Sequence, residues 1–329
     1  MNMKRTILTL SFVIVAMMAT AQQIAVVTGN STKLCQTLAD AIEEASSGST
    51  IYLPGGGFQI SDDVKITKKV SIIGIGHKAV SENVDGNTVI SGNLNFNEGS
   101  SNSVVMGCYI SGDVKIGYDE KSVNNILIQY CNLNSVQVHN NTCSGTTVNQ
   151  NYLRNASYFG GGQAEITNNI IHSVRSITGG VINYNNFTSY FNSSYRSNYV
   201  FYYVYNSTIA YNILYGNENY EYHFMIGGDN YISDNMVRYG DWGERCTNLT
   251  LQSMNDVFVN FNNGAIDPSS DFHFSETYSQ YEGQVGIYGG TGFLEGALPP
   301  VPYIVSKFIP EQTDASGKLN IKIRVKAGE

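Results

Sequence analysis

Residues 166–187 read Ile-Thr-Asn-Asn-Ile-Ile-His-Ser-Val-Arg-Ser-Ile-Thr-Gly-Gly-Val-Ile-Asn-Tyr-Asn-Asn-Phe, and one six-residue phrase stands at both ends of the stretch. The phrase is an apolar residue, two residues, Asn or Cys, one residue, and a second apolar residue. It is Ile166-Asn169-Ile171 at one end and Ile182-Asn185-Phe187 at the other. Toward the N-terminus it recurs as Val148-Asn151-Leu153, Ile128-Cys131-Leu133 and Val105-Cys108-Ile110. Toward the C-terminus it recurs as Ile209-Asn212-Leu214 and Ile232-Asn235-Val237. The central column is Cys108, Cys131, Asn151, Asn169, Asn185, Asn212 and Asn235, with steps of 23, 20, 18, 16, 27 and 23. The mean step is about 21, the length of a short structural repeat. Roughly three such phrases arise by chance at this composition, and two off-series ones occur around Asn141 and Asn198. Seven in series, one per repeat, exceed that background, and the spacing carries more weight than the phrase.

A repeat of this length with short β-branched and aromatic runs between Asn and Gly predicts an all-β solenoid of stacked strands. Asn tolerates the left-handed backbone of a sharp corner. Stacked about 4.8 Å apart, its amides can bond to one another as a structural ladder. Cys108 and Cys131 share the column and are expected as adjacent core thiols; a disulfide between them is the less favoured alternative, because side chains stacked in parallel do not offer its dihedral. Residues 48–265 at about 21 per coil give roughly ten coils.

Residues 30–47 predict a helix over the N-terminal end, with Leu34, Leu38, Ile42 and Ala45 on one face, Asn30, Ser31 or Thr32 as cap and Gly48 as stop. A first strand and turn follow at Thr50–Gly56 and the next strand at Val70–Gly76. The run "STIYLPGGGFQI", then "KKVSIIGIG", then the Asn column, resembles the right-handed parallel β-helix of the pectate-lyase-like superfamily. Asp271-Phe272-His273-Phe274 and Val285-Gly286-Ile287-Tyr288-Gly289-Gly290 resemble the closing segment of uncharacterised secreted bacterial β-helix proteins. The resemblance spans residues 30–329 and implies an N-terminal capping α-helix and a C-terminal β cap. It implies little about activity, because that superfamily holds lyases, hydrolases, adhesins and non-catalytic members.

Residues 1–21 read as a signal peptide, with Lys4 and Arg5 before an apolar run and Ala19-Thr20-Ala21 as cleavage site. That implies export to the periplasm, cell surface or exterior. The parallel β-helix with its helical cap then occupies 22–297, and 298–329 is a linker and β-strand cap. The linker is Leu298-Pro299-Pro300-Val301-Pro302; beyond it Leu319, Ile321, Ile323 and Val325 alternate with polar residues, predicting a strand paired with 303–309 as a cap or attachment element. No later stretch is long enough to span a membrane. The whole chain has 19 basic and 27 acidic residues, and loss of Lys4 and Arg5 leaves a net −10. That balance argues against a nucleic acid partner.

Charge is sparse, 14% of residues against about 25% in ordinary domains. Between Lys121 and Asn217 the only carboxylate is Glu165. A calcium cage or a pair of hydrolytic carboxylates needs acids on neighbouring coils, so no metal, no cofactor and no assigned catalytic residue is expected. Gly76-His77-Lys78 only partly resembles the Gly-His-Gly of β-helix hydrolases. The leading expectation is a non-catalytic protein binding a polysaccharide or cell-surface glycan. A metal-independent polysaccharide lyase using the arginines with His172 is one alternative, and an adhesive or structural surface protein is another. Arg154, Arg175 and Arg196 are spaced by 21 but drift along the coil; they are solvated loop cations or contacts to an acidic glycan. Tyr199, Phe201, Tyr203 and Tyr205 alternate onto one strand face, suited either to sugar rings or to packing on the coil. His223, Arg238, Asp241 and Trp242, the only Trp, form a charged C-terminal region that is a solvated end or a cleft with a stacking platform.

Overall fold

The computed structural model describes residues 23–78, 86–188, 200–214, 224–238, 244–249, 253–261, 269–294, 298–300, 302–308, 312, 316–318 and 321–326. Residues 1–21, read from the sequence as a signal peptide, and Arg196, Tyr199, His223, Asp241 and Trp242 lie outside these residues. The protein is all-β, built on two long sheets of mostly parallel strands, a pattern compatible with a parallel β-helix.

Each phrase is one passage of the chain from the first sheet to the second. Its first apolar residue points inward from the first sheet, where Ile51, Ile72, Val105, Ile128, Val148, Ile166, Ile182 and Ile209 stack in register. Its last apolar residue points inward from the second sheet, in the column Ile90, Ile110, Leu133, Leu153, Ile171, Phe187, Leu214 and Val237. All sixteen are at most 2% exposed. Each contributes about 1.5–3 kcal/mol of burial, so the period is fixed by stacking like on like. The second sheet carries a further parallel run in the same coils: Lys65–Ile66, Leu94–Phe96, Val114–Ile116, Val136–Val138, the later parts of Tyr152–Tyr158 and Ile170–Thr178, Phe201–Tyr205, and Phe224–Ile226.

The middle residue of each phrase turns into the core at the corner. Asn169 Nδ2 donates to the carbonyls of Val148 (2.8 Å) and Thr167 (2.9 Å) and to Asn185 Oδ1 (3.0 Å), while its Oδ1 accepts from the Asn151 backbone N–H (2.9 Å). Asn151, Asn185 and Asn212 repeat this set, and Asn235 receives the Asn212 amide. The cysteines make a weaker version: the Cys131 thiol donates to Gln129 O (3.2 Å) and Cys108 to Met106 O (3.4 Å). Both are free thiols. Burial pushes Cys131 up to about 12 and Cys108 upward as well, so they stay protonated donors.

The left-handed corner residue is not the Asn of the column, as the sequence suggests, but the residue before it. Gly107, Tyr130, Gln150, Asn168, Tyr184, Tyr211 and Asp234 all have φ between 54° and 67°. This conformation sends the preceding side chain outward while the column residue turns in. The outward side chains have a partner in the C-terminal segment. After the helix Met254–Val257 and the antiparallel strands Phe258–Asn260 and Asp271–Phe274, the chain runs back over these corners. Gly286 N–H donates to Tyr211 O (2.8 Å), Asn168 Nδ2 to Ile287 O (2.8 Å) and Gly289 O (2.7 Å), and Leu294 N–H to Gln150 Oε1 (2.8 Å). Gly289 and Gly290 lie on the Tyr184 ring, and Pro299 sits against Gly107. This strap buries Tyr152, Ile170, Ile213 and Met236, outward residues of the second sheet, in an apolar cluster with Ile287 and Phe293.

Two local expectations are corrected. The helix is only Leu38–Glu44, capped by the Thr37 hydroxyl, and ends at Ala45. Residues 24–35 form a hairpin, Ile24–Thr28 with Ser31–Cys35, closed by Gly29-Asn30, and Leu34 is 62% exposed on its outer strand. A two-residue Gly-Asn turn with Gly29 at φ 58° favours the hairpin over the helix. In Phe201–Tyr205 strict alternation fails because Tyr203 takes φ 58°, with a register shift beside it. Phe201 and Val204 are buried, and Tyr202, Tyr203 and Tyr205 are not.

Candidate functional site

The outward positions of the further run of the second sheet form one line across seven coils. Register pairs Lys65 with Asn95, Asn95 with Lys115, Lys115 with Gln137, Gln137 with Tyr158, Tyr158 with Arg175, and Arg175 with Tyr202. Six steps of about 4.8 Å give a stripe about 29 Å long. Local sequence sets it: Val64-Lys65-Ile66, Leu94-Asn95-Phe96, Val114-Lys115-Ile116 and Val136-Gln137-Val138 each place a polar residue between two apolar ones. Alternation turns the apolar pair inward and the middle residue out; Asn95 is the exception at 1% exposed, its Nδ2 donating to the carbonyls of Asp62 (3.0 Å) and Val64 (3.4 Å), so Lys65 and Lys115 flank a covered rung.

At one end Tyr118, 50% exposed, stands between two ammonium groups. Lys65 Nζ is 5.5 Å and Lys115 Nζ 5.2 Å from its ring centroid. The His139 ring meets it edge-on at 4.8 Å. Partial burial, then Lys115, lowers the His139 pKa, which favours a neutral ring. Carboxylates near this end are engaged: Asp113 accepts from Asn134 Nδ2 (2.8 Å) and Ser135 Oγ (2.6 Å), and Asp62 from Asn93 Nδ2 (2.6 Å). At the other end Arg175 lies between Tyr158, 40% exposed, and Tyr202. Tyr202 packs on Tyr203 (4.0 Å), and Tyr203 stacks on Tyr205 (6.4 Å). The face is therefore cationic and aromatic, with no described Asp or Glu in its register line.

Arg175, Tyr203 and Tyr205 thus belong to or adjoin this face. Arg154 does not. Its guanidinium lies 4.6 Å over the Tyr109 ring and donates to Asn132 Oδ1 (2.7 Å) and to the carbonyls of Ile110 (2.8 Å) and Ser111 (3.2 Å). Burial lowers its pKa. It ties three coils together. Arg238 follows the strand Met236–Val237 on the strap-covered run, away from the stripe. His172 is half-buried, with Nδ1 3.3 Å from Ser173 Oγ; burial and then Arg175 lower its pKa. Sequence reasoning missed Lys65, Lys115, Tyr118, Gln137, His139 and Tyr158. The recurring apolar–polar–apolar triplets were the available signal. Among the described residues no three His, Cys, Asp or Glu side chains gather in a metal-binding group.

Comparison with protein-family models, with curated proteins and with solved structures returns no match.

Proposed function

We propose that the chain is a right-handed parallel β-helix of the pectate-lyase-like kind that is exported and binds a polysaccharide or cell-surface glycan without cleaving it. The handedness is that of nearly all parallel strand crossovers. The N-terminal helix acts as the cap of one end, and the antiparallel strands Phe258–Asn260 and Asp271–Phe274 as that of the other. One observation carries the functional reading: Lys65, Lys115, Tyr158, Arg175 and Tyr202 lie in register along one face, with exposed Tyr118 and Tyr203 beside them. Tyrosine rings pack on the C–H faces of sugars, and Lys and Arg meet carboxylate or sulfate groups. One rung is close to the length of one sugar residue, so an extended chain can lie along the stripe. A panel of acidic and neutral polysaccharides tests this by titration calorimetry. Binding without new chain ends supports it, and no affinity for any polysaccharide removes it.

A lyase is the second reading, favoured by His172, whose pKa falls through burial and Arg175. A neutral imidazole beside a guanidinium can take a proton adjacent to a uronate. Absorbance of an unsaturated uronate product, lost in His172→Gln, would establish it.

A further inference from the structure

The C-terminal ribbon, separate from the stripe, has a different chemistry. Tyr303–Phe308 pairs antiparallel with Lys322–Lys326. Pairing sets Ile304 opposite Val325, on the face that Ile323 and, by alternation, Ile321 share. The other face pairs Phe308 with Lys322 and Ser306 with Arg324. Ile321, Ile323 and Val325 on the first face are 51–56% exposed and Phe308 on the second is 59% exposed, the densest group of exposed large apolar side chains among the described residues. An isolated two-stranded ribbon is marginal in water, so an aliphatic face of this kind gains most of its stability by being covered.

Charge indicates what covers it. Residues 303–326 hold five of the chain's 19 basic residues and two of its 27 acidic ones. The rest of the chain is strongly acidic. An apolar face backed by Lys and Arg is the composition of an element lying in a membrane interface. Its aliphatic side chains enter the headgroup–acyl boundary, and the long basic side chains reach back to headgroup phosphates. The acidic body is repelled by the same surface, so only the ribbon engages. The Pro-rich linker begins where Pro299 packs on Gly107, which brings the ribbon off the rod near its first coils. We propose that this ribbon docks the protein on an anionic lipid surface.

The test is flotation of the full chain with phosphatidylcholine vesicles, with and without phosphatidylglycerol. Binding is expected only with phosphatidylglycerol and is expected to weaken with salt. Each of Lys322→Gln and Arg324→Gln should lower partitioning about fivefold. The double variant Ile323→Ser/Val325→Ser should lower it about tenfold even at low salt, with the thermal melt of the rod unchanged in every variant. Equal binding to neutral vesicles, or binding indifferent to both sets of changes, overturns the proposal. So does self-association without vesicles that Ile323→Ser/Val325→Ser abolishes, since that assigns the face to a second copy.

Discussion

The inner corner column and the outer stripe are written on the same coils with the same register, yet they are chemically opposite. Along the corner, Asn151, Asn169, Asn185 and Asn212 each spend their amide on carbonyls and on the next Asn, and all are fully buried. Along the stripe, Lys65 and Tyr158 keep the register but turn to solvent, as does Tyr118 beside it. One line closes the molecule on itself; the other leaves groups that can bind something else. A repeated position is thus structural when its polar atoms are satisfied between coils, and a candidate for function when they are not.

The difference can be broken from the inside. Asn169→Leu strands the Asn151 amide and removes the donor to the Val148 and Thr167 carbonyls. It should cost about 4–5 kcal/mol in denaturant unfolding; a loss below about 1 kcal/mol would show that the column is dispensable. Acid should act nearly as strongly through His77. It is 4% exposed, packs edge-on at 5.2 Å against Tyr152, and has no side-chain hydrogen bond among the described residues. Burial lowers its pKa to about 3, well below about 6.5 in an unfolded chain. The neutral ring's contribution is therefore complete above pH about 6.5 and is lost as pH falls toward about 3, up to about 4 kcal/mol. In His77→Phe that part of the pH dependence should vanish.

Arg154→Ala sharpens the boundary between the two regions. It should cost about 2 kcal/mol of stability through its lost carbonyl and Asn132 bonds and leave glycan affinity untouched. A fall in affinity with unchanged melting would return it to the binding face. The smallest effect is chemical. Native Cys108 and Cys131 should ignore a thiol reagent, and all five cysteines, free in the structure, should react after unfolding without reductant. Fewer than five reactive thiols would reveal a disulfide.

The phrase that recurs from Val105 to Val237 was legible because both of its apolar residues enter stacked columns, so each coil repeats the demand on sequence. The strap was not legible: Asn168 meets Ile287 119 residues later and Gln150 meets Leu294 144 later, with no local pattern to announce either. Arg154 misleads for the same reason, since its carbonyl partners lie 43 and 44 residues back. Leu34, Leu38 and Ile42 are spaced as a helix face, but the Gly29-Asn30 turn assigns Leu34 to a strand. The stripe was legible in principle. Its triplets are weaker than the Asn phrase because solvent accepts Lys, Asn, Gln or Tyr alike at an outward position.

The most direct test of the binding face is a calorimetric titration of an acidic polysaccharide against the native chain and Lys115→Gln/Tyr158→Ala/Arg175→Gln. The account predicts affinity for the native chain, at least tenfold weaker binding in the triple variant, and the same melting temperature for both. Equal affinity in the two proteins would contradict it.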